Sequence, residues 1–211
     1  MGAIPTSDMP GHTKLHQKVC NALDRCQEST NVDFKASASW DDLKLALIRT
    51  AMAMANLRDG GIIVIGASES GDAWDLSGIK PEHLSTYDVD DVIDGVNKYA
   101  SPSVQLEIVT VTYQNERRFL AIQVHEFVDT PVVCKRNAPD GNKKLAAGEV
   151  YVRPLGVPKT SKVLSVDDMR ELLELAAEKR ARRLLEVAHR VGFRPPEAAT
   201  QRFDEELGDL L

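Results

Sequence analysis

The chain has 211 residues, 43% of them hydrophobic and 27% charged, with a formal net charge of −6. That length suits one domain with a substantial core, and the composition is that of an ordinary globular protein. No apolar run reaches the length of a membrane span, and the N-terminus lacks the apolar core of a signal peptide, so no membrane partner is expected. Three cysteines, Cys20, Cys26 and Cys134, show neither zinc spacing nor an even-numbered framework, which points to a reducing, cytoplasmic setting. Aromatic residues make up only 5%, so any nucleic-acid binding would not rest on stacking platforms.

Residues 1 to about 12 carry Pro5, Pro10 and Gly11 and read as an irregular leader. Lys14 to Cys26 forms a short helix with Leu15, Val19, Ala22 and Leu23 on one face. Glu28 to Lys35 is a turn entering a short strand. Val32 and Phe34 point to the core, while Asp33 and Lys35 point together to the opposite side. Ser39 is an N-cap for a helix over Trp40 to Asn56, whose wide apolar stripe (Leu43, Leu47, Ala51, Met54) packs on a sheet.

Gly60 and Gly61 then turn into Ile62-Ile63-Val64-Ile65, a strand apolar on both faces. The glycine pair precedes a strand and lacks the Lys-Ser/Thr of a phosphate loop, so it reads as a tight turn permitting positive φ. Glu69 stands just past the carboxyl end of that strand, where ligands bind in open α/β sheets. A helix over Asp88 to Ala100 and a strand over Val104 to Tyr113 follow. A turn at Asn115-Glu116 leads to a strand over Phe119 to Val124, and Pro131 to Cys134 is a short edge strand. After a polar loop from Asn137 to Gly148, Glu149 to Arg153 is another strand. Ser165 caps a helix running to about Arg190, and residues 194 to 211 form an acidic tail. The element order predicts an α/β or α+β domain with a mixed sheet flanked by helices.

Charge is unevenly spread. Ala67 to Glu107 holds nine acids against two lysines, and Lys135 to Lys162 holds seven bases against two acids, so a local positive field survives the negative total. The basic segment fits phosphate contacts that fix register without reading bases, and Arg153, on a strand beside the loop, is the preferred contact. Asp33 and Lys35 are a carboxylate and an ammonium on one strand face. That pair suits a metal-dependent nuclease or, more plainly, a surface ion pair.

Three stretches in register carry a resemblance. They are Glu28-Ser-Thr-Asn-Val-Asp33-Phe-Lys35, then Ala53-Met-Ala-Asn56 followed by Gly60-Gly-Ile-Ile-Val-Ile-Gly66, then Val150-Tyr-Val-Arg153. Together they resemble the AlbA-like domain of Schlafen proteins and its prokaryotic relatives over roughly residues 27 to 178. The resemblance implies a nucleic-acid-binding fold. It also implies, as in some Schlafens, an endoribonuclease cutting structured RNA such as tRNA with three carboxylates and Mg²⁺ or Mn²⁺. By motif those carboxylates are Glu28, Asp33 and Glu69, with Lys35 assisting and Lys135, Arg136, Arg153 and Lys159 holding the backbone. Asp33 replaces the family's usual glutamate, and Ser68-Glu69 replaces an Asp-Asp pair.

Three readings stay open: the metal-dependent endoribonuclease, a DNA- or RNA-binding regulatory module without cleavage, and a protein-interaction domain. RNA is expected over DNA. Animal Schlafens carry two such lobes and this chain one, so a homodimer is expected. The division expected is residues 1–26 as leader and short helix, 27–178 as the domain, and 179–211 as helix end and tail.

Overall fold

The computed structural model describes residues 13–71, 73–139, 145–154, 159–162 and 165–192. The leader, Asp72, the loop residues Asp140 to Lys144 and the tail lie outside the described residues.

The centre is a four-stranded mixed sheet in the order β1 (Val32–Lys35), β2 (Gly61–Ile65), β7 (Arg117–Val124), β6 (Leu106–Tyr113). β1 runs parallel to β2, with Asp33 level with Ile63 and Lys35 with Ile65. β7 is antiparallel to both β2 and β6. Every residue of β2 is buried, as its unbroken apolar run predicts for a central strand.

Helix α1 (Thr13–Arg25) covers one face, packing Leu15, Val19 and Leu23 on Phe34, Ile62, Val64, Val109 and Phe119. Helices α2 (Trp40–Ala55) and α4 (Val89–Asn97) cover the other, with Ile48, Met52 and Val92 over Ile63, Ile65, Leu120 and Ile122. Fully burying an aliphatic side chain is worth roughly 1.5–3 kcal/mol, so the two layers around β2 hold the domain together. Both helices start on a polar cap. The Ser39 hydroxyl accepts from the Asp42 amide, and the Asp88 carboxylate accepts from the Asp90 and Asp91 amides.

Small elements surround this frame. They are the hairpin β3 (Ser68–Ser70) and β4 (Ala73–Asp75), helix α3 (Pro81–Leu84), the pair β5 (Ala100–Ser101) and β8 (Val133–Cys134), and the pair β9 (Tyr151–Val152) and β10 (Ser161–Lys162). Helix α5 (Val166–Arg190) closes the chain. The β3–β4 hairpin is not visible in the sequence, because three-residue strands carry no usable period.

The Gly-Gly turn is required by its surroundings. Gly60 has φ +65°, and a Cβ there would meet the Val124 carbonyl oxygen at 2.0 Å. A Cβ on Gly61 would meet Met54 Sδ at 2.7 Å. Together they let α2 and the β7 end approach the start of β2, which seats α2 over the sheet.

Candidate nucleic-acid interface

β1 is sandwiched rather than half-exposed. Phe34 faces α1, and alternation sends Asp33 and Lys35 to the α2 side. Asp33 is only 4% exposed. A carboxylate so placed requires partners, and it has two. Arg153 Nη1 donates to Oδ1 at 2.9 Å, and Lys35 Nζ donates to Oδ2. Arg153, 2% exposed, also donates from Nη2 to the carbonyls of Ser29, at 3.0 Å, and Val32, at 3.4 Å. Glu28 Oε1 accepts from the Phe34 amide at 3.2 Å. The turn before β1 is thus held from two sides.

Arg153 reaches β1 because Asn56 fixes the strand that bears it. The buried Asn56 side chain, at the C-cap of α2, donates from Nδ2 to the carbonyls of Val132 and Tyr151, both at 2.9 Å, and accepts from the Val132 amide at 2.7 Å. Tyr151 is buried, its hydroxyl accepts from the Ala146 amide, and its ring lies 5.3 Å from the Arg49 guanidinium carbon. The three sequence stretches are therefore one network joining β1, the end of α2 and β9.

Beside this network lies a cavity of about 370 Å³ lined by Glu28, Asp33, Lys35, Arg49, Lys159 and Thr160 among others. Lys35, Arg49 and Lys159, with Arg153 behind Asp33, outnumber the two carboxylates by two charges. Arg49 donates to the Thr160 carbonyl at 3.0 Å, yet Arg49 Nε and Thr160 Oγ1 are buried with no hydrogen-bond partner among the described residues. Unpaired buried polar atoms are rare, and these two donors beside a cationic cavity suit an anionic oxygen.

Glu28, Asp33 and Lys35, expected to act together, do share this cavity. Glu69 does not line it. It sits exposed in β3, opposite Trp74 of β4, because the chain turns into a hairpin beyond Gly66 instead of ending at the sheet edge. Among the described residues no three His, Cys, Asp or Glu side chains are grouped so as to hold a metal ion. The three-carboxylate Mg²⁺ or Mn²⁺ site does not fit this arrangement: each Asp33 oxygen is occupied by a cationic donor, and Glu69 stands apart.

Arg153 likewise differs from its expected role as a phosphate contact, since it is buried against Asp33. Of the other basic residues, Lys162 pairs with Glu149, while Lys135, Arg136 and Lys159 are exposed. Lys135 and Arg136 follow β8 and do not line the cavity. Lys143 and Lys144 lie outside the described residues. Arg49 escaped the sequence reading. Its only signal there is a polar notch, Arg49-Thr50, in the otherwise apolar stripe of α2.

The basic segment of α5 folds back in part onto the body of the domain. Lys179 meets Glu126 at 2.6 Å, and Arg183 meets Asp129 at 3.0 Å. Next to Lys179, Glu178 takes a two-pronged bond from Arg58 at 2.8 and 3.0 Å. No helix among the described residues is long and apolar enough to cross a membrane.

Comparison with known proteins agrees with the motif reading. No curated protein sequence matches the chain. Among solved structures it is similar to the DIP2311 protein of Corynebacterium diphtheriae, at 15% identity and TM-score 0.48. That match covers 77% of this chain and 29% of the other. It is also similar to the N-terminal domain of a RecG-related protein from Nitrosomonas europaea, at 17% identity and TM-score 0.46, covering 72% of this chain and 95% of that one. The chain thus spans under a third of the first relative's length, and at these scores neither likeness bears on function. The Schlafen, AlbA_2 family model matches residues 28–185, from the glutamate before β1 to well inside α5, and the chain belongs to that family.

Proposed function

We propose that this domain binds the phosphate backbone of a nucleic acid through the cavity between β1, α2 and the β9–β10 pair, without cutting it. The observation that carries this reading is the cationic excess of Lys35, Arg49 and Lys159 around two unpaired buried donors. Phosphate oxygens match both the charge and the donors, and scarce aromatics suit backbone contact over base stacking. Lys35 and Lys159 would meet phosphate directly. Arg49, braced on Tyr151 and the Thr160 carbonyl, would present Nε in a fixed direction. Lys135 and Arg136, beyond the cavity's lining, are exposed and free to meet further phosphates.

Asp33 and Arg153 build the floor of this site, and neither acts as ligand or base. The endoribonuclease reading requires Asp33 to release Arg153 and Lys35 and Glu69 to join it, which is why binding without cleavage is preferred. RNA over DNA is carried by the family resemblance. Competition between a tRNA and a DNA duplex of equal charge tests that preference.

The direct test is a salt titration of affinity for a fluorescent tRNA. Backbone binding gives a linear fall of log K with log salt. Lys35→Ala and Lys159→Ala reduce that slope by roughly 0.7 to 0.9 for each phosphate left without its cation. Binding that ignores salt, or that keeps its slope in both variants, overturns the reading.

A further inference from the structure

A second cavity, of about 510 Å³, opens between α1 and the Gly60-Gly61 turn, on the α1 face of the sheet. That size suits a small organic ligand. Its floor is apolar, from Ala22 of α1 and Ile62 of β2, both buried. One wall carries Lys18 and Arg25, which share a face of α1 with Ala22 through spacings of four and three residues. Both are exposed. Against them the described lining residues set one carboxylate, Asp59, since Arg58 is taken up by Glu178.

The wall at the turn holds two amides in fixed directions. Gln123, level with Ile62 and only 7% exposed, donates from Nε2 to the carbonyls of Gly61, at 3.0 Å, and Val124, at 3.2 Å. Asn31 donates from Nδ2 to the carbonyls of Arg58, at 3.2 Å, and Gly60. An amide nitrogen carries two hydrogens, so both amides have spent their donors on the chain around the turn. Gln123 Oε1 and Asn31 Oδ1 are left as acceptors, and both residues line the cavity. An acceptor on a side chain as buried as Gln123 requires a donor.

Cations at the mouth and oriented acceptors within select a ligand that is anionic at one end and carries N–H donors at the other, with an apolar body between them. Inorganic phosphate meets only the first demand, and a polyamine only the second. The geometry points to a nucleotide whose base bears an exocyclic amine. The amine's two hydrogens would meet Gln123 Oε1 and Asn31 Oδ1, the base would lie on Ala22 and Ile62, and the phosphate would face Lys18 and Arg25. A free nucleotide and an unpaired nucleotide in a strand present the same chemistry. This site shares no lining residue with the cavity between β1 and α2, and the inference does not depend on what that cavity binds.

Amide NMR spectra of the full chain test it. Adenosine 5′-monophosphate is expected to shift the signals of Asn31, Gly60, Gly61 and the Gln123 side chain saturably, and to leave those of Lys35 and Arg49 in place. Uridine 5′-monophosphate, which has no exocyclic amine, should bind roughly tenfold more weakly. Adenosine and inorganic phosphate should each bind more weakly than the monophosphate. Lys18→Gln/Arg25→Gln changes two exposed side chains, so it should keep the melting transition and lose affinity for the monophosphate. Single-stranded tetra-adenylate separates the sources. If it shifts the same signals and the mononucleotide does not, the ligand is part of a strand; the reverse makes it a free nucleotide, and either upholds the site. Four results overturn the inference: no response to either adenylate, equal binding of the uridine and adenosine monophosphates, a response that inorganic phosphate alone reproduces, or shifts confined to Lys35 and Arg49. Unchanged affinity in Lys18→Gln/Arg25→Gln overturns it as well.

Discussion

Arg153 reaches from the end of β9 to Asp33 on β1, 120 residues away in sequence, and closes a 2.9 Å ion pair with both side chains almost fully buried. Breaking such a pair by removing one member leaves an uncompensated buried charge, which costs about 3–5 kcal/mol. Arg153→Ala is therefore expected to lower unfolding stability by that amount in a urea titration. Asp33→Ala should cost nearly as much, and the double variant less than the sum of the two. If Arg153 were a phosphate contact instead, Arg153→Ala would leave stability unchanged and weaken only binding.

Asn56 gives a second prediction. Its amide makes three hydrogen bonds that close the end of α2 onto Val132 and Tyr151. Asn56→Ala strands a buried amide and two carbonyls, at about 1–3 kcal/mol for each group left unsatisfied. A loss of more than about 2 kcal/mol is expected by thermal or urea denaturation. Asn56→Asp should be worse, because a carboxylate cannot donate to the two carbonyls.

The docking of α5 should depend on acid. The Arg58 bond holds the Glu178 carboxyl below its ordinary value of 4.5. Burial acts to raise the Glu126 carboxyl, but Lys179, the Asp59 amide and Arg58 together hold it below 4.5 as well. Carboxyls with depressed folded-state values contribute stability that is complete above pH 4.5 and lost as pH falls through the folded value. Limited pepsin digestion, read by mass spectrometry, should show cleavage within α5 rising below that pH before cleavage of β2 or β7. Glu126→Gln should raise cleavage at neutral pH when a neutral-active protease is used.

Much of this arrangement is legible in the sequence, because it follows from local periods. The run Ile62 to Ile65 reads as a doubly covered strand, and Ser39 and Ser165 read as caps, as they are. Glu28, Asp33, Asn56 and Arg153 stand out as a set only through the resemblance to the family's motifs. What the resemblance does not carry is which of them face one another. Asp33 lies on the opposite face from Phe34, but whether that face meets water or α2 depends on Arg153, far along the chain. The same holds for Glu69. Its distance from Ile65 fits a strand-end acid, and only the β3–β4 hairpin carries it away from Glu28. Arg49 is invisible as a site residue because its meaning comes from Tyr151 and Thr160, which fold against it from another element.

In the reading proposed above, the family's motif residues build a binding floor in place of a metal centre. Incubating the protein with a labelled tRNA and Mn²⁺, with and without chelator, while following both binding and RNA length, tests it most directly. The expected result is salt-dependent binding that survives chelation, with the RNA intact. Mn²⁺-dependent cleavage that disappears on chelation and in each of Glu28→Ala, Asp33→Ala and Glu69→Ala would contradict it.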